Sequence, residues 1–214
     1  MASLRDRFHD WWQRASLAGG YGSADRGDVS AEWQRLHDAW SEPHRAYHTP
    51  AHLTECLDLL SLAAPPNELA VEMAIWYHDA VYDTMAHDSE ARSADWAAAT
   101  CRRCHLPNAE RVHALILATR HDAVVTEPDA AALVDIDLAI LGSAAERFAQ
   151  YERQIRAEYA WVPEDAFRVG RAAILERFLD RVAIYVSPPF TERFEERART
   201  NLSTTILRLR TPPG

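Results

Sequence analysis

The sequence predicts a single all-α domain, a helical bundle, and three observations carry that prediction. Apolar residues recur at helical spacing almost throughout. Capping residues and prolines interrupt the pattern at helix-length intervals, and only Ala123-Val124-Val125-Thr126 reads as extended. Nothing repeats and no segment is low in complexity, so one set of packed helices accounts for the chain.

The elements follow in order. Leu4, Phe8, Trp11 and Trp12 make an apolar stripe on a first short helix, followed by the turn Gly19-Gly20-Tyr21-Gly22. The mixed charges opposite that stripe favour packing on the domain over a membrane-surface anchor. Residues 1–27 are therefore expected to decorate a domain of residues 28–214. A second helix spans Asp28 to Trp40. Thr49-Pro50 supplies an N-cap and a proline at the first helical position, so a helix starts there and runs to the stop Ala64-Pro65-Pro66. Further helices are expected at Asn67 to Asp83, Ser89 to Cys104, Asn108 to His121, Ala130 to Leu141, Ser143 to Tyr159, Pro163 to Val186 and Glu192 to Arg210.

A chain of 214 residues with 48% hydrophobic content and seven tryptophans can bury a sizeable core. No run approaches the roughly 18 apolar residues of a membrane span, and Arg5, Asp6, Arg7 and Asp10 break up the N-terminus, so a cytoplasmic protein is expected. All 23 basic residues are arginine, which excludes Schiff-base chemistry and the P-loop lysine. A net charge of −9 argues against general nucleic-acid binding. The three cysteines are too few for a disulfide scaffold. Cys101-Arg102-Arg103-Cys104-His105 spells the c-type haem attachment pattern, but that attachment follows export and no export signal is present.

Chemistry concentrates in Tyr47-His48-Thr49-Pro50-Ala51-His52, in His78-Asp79 and in Asp137. Two imidazoles and two carboxylates form a mixed nitrogen and oxygen set suited to a divalent metal. Thr49-Pro50 puts His52 in the first turn of a helix and leaves His48 on the loop before it. His78 and Asp79 follow the apolar run Ala74-Ile75-Trp76-Tyr77, where buried charge needs a partner or a metal. The alternative there is a helix end with a favourable imidazole and a solvated aspartate. Asp135 and Asp137 project about 200° apart on a helix, so at most one of them shares a buried site and the other is solvated or capping.

The order H, HD, D on successive helices resembles the HD superfamily of metal-dependent phosphohydrolases. The phrases HRAYHTPAHL, AIWYHDAVYD, SEARSA, LILATRH, DIDLAILG, IRAEYAWVPEDAFRVGR and AIYVSP, in this order, resemble a family of small predicted HD-superfamily hydrolases of uncharacterised substrate. The likeness runs from about Trp33 to Leu207. It implies an HD-type hydrolase domain in which His52, His78, Asp79 and Asp137 bind the metal. The YHxxxH phrase is also similar to that of cyclic-nucleotide phosphodiesterases, which implies that His48 protonates the leaving group.

Glu90 falls where some HD proteins carry a glutamate used as base or second-metal ligand; the alternative is a helix N-terminal charge. Arg45 and His121 are expected to meet the substrate, Arg45 by pairing a phosphate. His121 also stands where some bimetallic relatives place a further histidine, and the alternative is a solvated helix end.

The resemblance implies hydrolysis of a phosphate ester or anhydride in a nucleotide or other small phosphorylated metabolite. It requires a divalent ion, with manganese, magnesium, cobalt, nickel, zinc and iron all compatible and one or two ions left open. Two other functions remain: an HD-type di-iron oxygenase, needing His121 and either His105 or His87 as added ligands, and a non-catalytic metal-binding regulatory module. The tryptophan-rich terminal helices offer an interface for a homodimer.

Overall fold

A helix without a polar face has to sit in the middle of its domain, and Glu68–Tyr77 is such a helix: every residue from Ala70 to Tyr77 is buried. The computed structural model describes residues 2–20, 26–123 and 125–211. Its helices are α1 (Leu4–Ala18), α2 (Arg26–Trp40), α3 (Pro50–Ala63), α4 (Glu68–Tyr77), α5 (Ser89–Arg103), α6 (Ala109–Ala118), α7 (Pro128–Leu138), α8 (Ala145–Glu158), α9 (Glu164–Leu179) and α10 (Pro188–Arg210). A short 3-10 turn, Ala139–Gly142, continues α7. No strand occurs among the described residues, so the fold is all-α. None of these helices is long and apolar enough to cross a membrane.

The central helix α4 is wrapped by α1, α3, α5, α6 and α7. Asn67 caps its start by accepting from the Ala70 N–H. Its buried Glu72 pairs with Arg14 of α1 at 2.6 Å, which offsets the cost of taking that carboxylate out of water. Phe8, Trp11 and Trp12 of α1 are buried, with Phe8 edge-on to Trp76 at 5.2 Å and the Trp11 indole N–H donating to Leu69 O. The N-terminal aromatic stripe is thus spent on the core around α4.

Several boundaries differ from those the sequence predicts, each for a stated reason. The central helix stops at Tyr77 and not at Asp83, where side chains from elsewhere take carbonyls of its last turn and of the segment just beyond it. Trp40 Nε1 donates to Trp76 O, and Arg45 donates to Asp79 O and Ala80 O. Similarly, α9 ends at Leu179 and not at Val186. Arg199 of α10 donates to the carbonyls of Leu179, Arg181 and Val182, while Glu195 accepts the N–H groups of Ile184 and Tyr185. With its polar groups satisfied this way, residues 180–187 need not be helical. Val125 and Thr126 are not in a strand, and Val124, like Tyr21 and Gly22 of the glycine turn, lies outside the described residues.

At the far side of the core the 3-10 turn packs on α10. A Cβ added at Gly142 would lie 2.5 Å from Phe194 O and 2.6 Å from Phe194 Cβ, so only glycine allows this approach. Gly142→Ala is expected to cost more than about 2 kcal/mol, lowering Tm by at least about 4 °C in a thermal melt. An unchanged melting point would mean that α10 moves away freely.

Candidate metal centre

Three helix ends meet where the site is built: the start of α3, the end of α4 and the end of α7, with α3 packed on both α4 and α7. The α3 start is set locally. Thr49 is extended and caps the Ala51 N–H, and Pro50 fixes the first turn. His52 therefore points inward, 2% exposed, and Cys56 follows one helical turn later on the same face, also 2% exposed. His48 stays off the helix at the pocket's edge.

His78 and Asp79 leave α4 on a turn held by Arg45. This guanidinium is fully buried as a side chain and donates to His48 O at 3.2 Å, Asp79 O at 2.7 Å and Ala80 O at 3.1 Å, with Glu42 as its carboxylate partner. Arg45 is therefore not directed at a substrate phosphate, as its position beside His48 led us to expect. It is a clamp that ties the His48 loop to the His78-Asp79 turn. All of this reach comes from one planar five-donor group.

Around one point lie His52 Nε2, His78 Nε2 and Asp137 Oδ1. The two ring nitrogens are 3.3 Å apart, and Asp137 Oδ1 is 3.4 Å from His52 and 3.7 Å from His78. Asp79 Oδ2 stands 3.1 Å from His78 Nε2 and 3.9 Å from His52 Nε2. His52, Cys56, His78 and Asp137 have ligand-capable atoms all within 4.8 Å of one another and could hold a metal ion. Three of the four residues expected as ligands, His52, His78 and Asp137, belong to this set together with the Cys56 thiol, while Asp79 stands beside it, nearest to His78. The sequence reading left that thiol without a role, although His52-x-x-x-Cys56 is one helical turn on a helix whose start is marked by Thr49-Pro50.

Several features fit a cation at this point. His78 Nδ1 faces the carbonyl of Ile75 at 2.9 Å, and a carbonyl only accepts, so Nδ1 carries the proton and Nε2 is free to ligate. Two imidazole nitrogens aimed at each other across 3.3 Å need a proton or a cation between them. Burial alone would lower His78, but Asp79 and Asp137 beside it push it well above the ordinary imidazole range, so this point favours positive charge, which a cation on Nε2 would supply in place of the second proton. For His52 burial dominates and its pKa falls. Burial would raise both aspartates, yet the neighbouring imidazoles hold Asp79 low and Asp137 well below the usual carboxylate range. Both therefore stay anionic, as ligands must.

The other candidates divide. His121 Nε2 is 3.0 Å from Asp137 Oδ2, so this histidine braces a ligand and also lines the pocket. Its Nδ1 is buried without a hydrogen-bond partner. Glu90, in the first turn of α5, and His87 line the same pocket. His105 is not among the pocket's lining residues. Asp135 points away from the cluster and is neither solvated nor a helix cap: it is buried and accepts from the Val186 and Ser187 N–H groups ahead of α10. Cys101 is buried in α5 with its thiol pushed up to about 12 by burial, a core placement that gives haem attachment no access.

Glu158 is the residue that sequence reasoning missed. Its Oε1 accepts from the backbone N–H groups of Ala46, Tyr47 and His48 at 2.8, 2.7 and 3.0 Å. Its Oε2 meets His48 Nδ1 at 2.8 Å and the Tyr82 hydroxyl at 2.9 Å. The carboxylate only accepts, so His48 Nδ1 donates and Nε2 faces Asp79, 3.9 Å away. Burial pushes Glu158 up, but the hydrogen bonds and charge of His48 and the backbone donors outweigh it and bring the carboxyl down to about 2. No spacing rule links residue 158 to residue 48, and only the fold joins them.

Beyond the metal cluster opens a pocket of about 640 Å³. Asp79, Asp137, His48 and His121 reach it from one side, and Phe167, Ile174 and Phe178 of α9 form an apolar wall. The side chains of His48, Asp79 and Asp137 are 17 to 18% exposed, against 1 to 2% for His78 and His52. The centre is closed on the core side and open on the pocket side.

Two expectations follow. Arg45→Ala leaves three carbonyls without their donor and should cost about 3 kcal/mol in denaturant unfolding, with Arg45→Lys recovering less than half of it. Recovery to the wild-type value in the lysine variant would show that charge alone suffices. Glu158 has a depressed pKa, so its stabilisation is complete above the unfolded value near 4.5 and is lost as pH falls toward 2. Glu158→Gln should lower stability at pH 7 and flatten its decline over that acid window. Parallel acid-unfolding curves would contradict this.

No family model matches the chain, and neither a curated protein nor a solved structure does.

Proposed function

We propose that this protein is a metal-dependent phosphohydrolase of the HD type, acting on a small phosphate ester or anhydride. The observation that carries the reading is the convergence of His52, His78, Asp79 and Asp137 at the floor of an open pocket, with the paired His48 and Glu158 at its edge. His48, His52, His78, Asp79 and Asp137 are the residues on which the resemblance to HD phosphohydrolases rests, and they come from α3, α7, the turn after α4 and the loop before α3.

In this reading His52, His78, Asp79 and Asp137 hold the ion. A bound divalent ion supplies Lewis acidity toward a phosphoryl oxygen and makes a water molecule more acidic. The chain's own groups do the rest. The bond from phosphorus to the leaving oxygen breaks as the water oxygen bonds to phosphorus, the water giving up a proton to solvent through the open pocket. His48 donates its Nε2 proton to that leaving oxygen, while Glu158, accepting from Nδ1–H, holds the ring with Nε2 toward the pocket. His121 steadies the Asp137 carboxylate. The apolar wall on α9 accommodates the organic part of the substrate, and a pocket near 640 Å³ suits a nucleotide-sized metabolite.

The test is a panel of phosphoesters and nucleotides assayed with added manganese, magnesium, cobalt, nickel or zinc, alongside metal analysis. His48→Ala should lower kcat about 10²- to 10⁴-fold with metal content intact. Asp79→Ala should lose metal as well as turnover. Full activity in the first variant removes the general acid, and unchanged metal in the second removes the centre.

A further inference from the structure

We propose that Arg120 and Arg177 form an anion subsite where the ends of α6 and α9 meet the pocket, and that it takes a second phosphate group of the substrate. This rests on the reading of the protein as a phosphohydrolase and narrows its substrates to esters or anhydrides that carry a further phosphate beside the scissile one.

Both arginines line the pocket. Arg120 sits on the turn that ends α6, directly before His121, whose φ of 56° is left-handed and whose Nε2 is 3.0 Å from Asp137 Oδ2. Arg177 belongs to the α9 stripe Gly170, Ile174, Arg177, whose spacing of four and three residues keeps it on one helix face, and all three line the pocket. A Cβ added at Gly170 would meet nothing within 4 Å, and Ile174 is 40% exposed, so this face looks onto open space. His121 joins the two regions. It braces Asp137 of the metal centre and is flanked by Arg120, so subsite and centre are neighbours along one wall.

Neither guanidinium is satisfied within the protein. Arg171, which lines the same pocket, is buried against Glu152 at 2.6 Å and is structural. Among the described residues, the side chains of Arg120 and Arg177 have no ion pair and no hydrogen bond, and Asp122, on the same turn as Arg120, pairs with neither. The helix ends do not occupy them. The last carbonyls of α6 accept from the N–H groups of Thr119, Arg120 and His121, and Leu179 O at the end of α9 accepts from Arg199. A third guanidinium adds to the charge: Arg181 lies over the Phe178 ring at 4.7 Å and gives one donor to His121 O at 2.9 Å. Burial and the Arg177 charge both lower its pKa, so positive groups crowd together here without a counter-ion. In a chain of net charge −9 such crowding is relieved by an anionic ligand, and the planar fork of arginine matches phosphate oxygens.

The experiment has two arms, both on the full chain. In the first, metal-free protein is titrated with inorganic pyrophosphate by calorimetry. Wild type should bind saturably, Arg208→Gln at an exposed position of α10 should bind equally, and the double variant Arg120→Gln, Arg177→Gln should bind at least about tenfold more weakly. Both replaced side chains are exposed, so the double variant should melt as wild type does. In the second arm, each monophosphate that the metal-loaded enzyme turns over is compared with its bisphosphate counterpart, adenosine 5′-monophosphate with adenosine 3′,5′-bisphosphate among them. KM should be at least about tenfold lower for the bisphosphate in wild type and equal for the two in the double variant. No pyrophosphate binding to metal-free wild type, a result that needs no variant to fold, overturns the subsite, as does binding that the double variant keeps in full. Equal KM for both members of every pair in wild type overturns the substrate assignment. Pyrophosphate binding that follows the arginines, with no phosphate compound turned over, leaves the subsite standing and overturns the phosphohydrolase reading.

Discussion

The carbonyls at the end of α4 have to be satisfied without water, and much of the site depends on how that is done. A helix buried on all sides cannot fray into solvent, so its last turn needs donors from the protein. Trp40 supplies one, to Trp76 O, and Arg45 satisfies the turn that follows, at Asp79 O and Ala80 O. The same clamp holds His48 O. One buried guanidinium thus fixes the chain just past α4, where His78 and Asp79 turn out of the core, and the loop that carries His48. The apolar character of α4 and the polar character of the site are two sides of a single packing problem.

Charge at the site is balanced without lysine and with little help from arginine. Asp79 and Asp137 are held anionic by His78, His52, His48 and His121, and Glu158 by His48 and three backbone N–H groups. The arrangement separates two kinds of imidazole. His52 and His78 are sealed on the core side, where burial competes with nearby carboxylates, while His48 is partly open to the pocket and has one nitrogen committed to Glu158. A ligand needs a fixed lone pair and a proton donor needs access to substrate, so the different exposures suit different tasks.

Buried carboxylates elsewhere follow the same economy. Glu32 accepts from Tyr77, Trp96 and Thr100 and pairs with Arg35 and Arg103, and Asp129 joins the Asn67 N–H to Arg111. These two hold α2 to α5 and the start of α4 to α7. They show that this protein can bury a carboxylate in a purely structural role by surrounding it with donors. The central cluster is different in kind: its nitrogens and oxygens face one another with fewer protons than lone pairs, which is what a cation would resolve.

Local chemistry was enough to read the all-α class, most helix starts and the inner positions of His52, His78 and Asp137. Helical periodicity, the Thr49-Pro50 cap and an unusually apolar helix before His78 are properties of neighbouring residues, and a sequence displays them directly. The ends of α4 and α9 were misread because distant arginines and Glu195 satisfy backbone groups there, and propensity carries no record of such partners. Arg45 was misread for the same reason: an arginine beside a site histidine looks like a phosphate ligand until its donors are found on carbonyls. Glu158 reaches His48 across 110 residues, and Cys56 joins the cluster only when α4 and α7 bring His78 and Asp137 to the face it shares with His52. The sequence by itself determined which residues could carry the chemistry, because residue type and helical phase are local. Which of them meet, at what distance and with which proton, was decided by tertiary structure, because hydrogen bonds and ligand geometry depend on groups that the chain brings together only by folding.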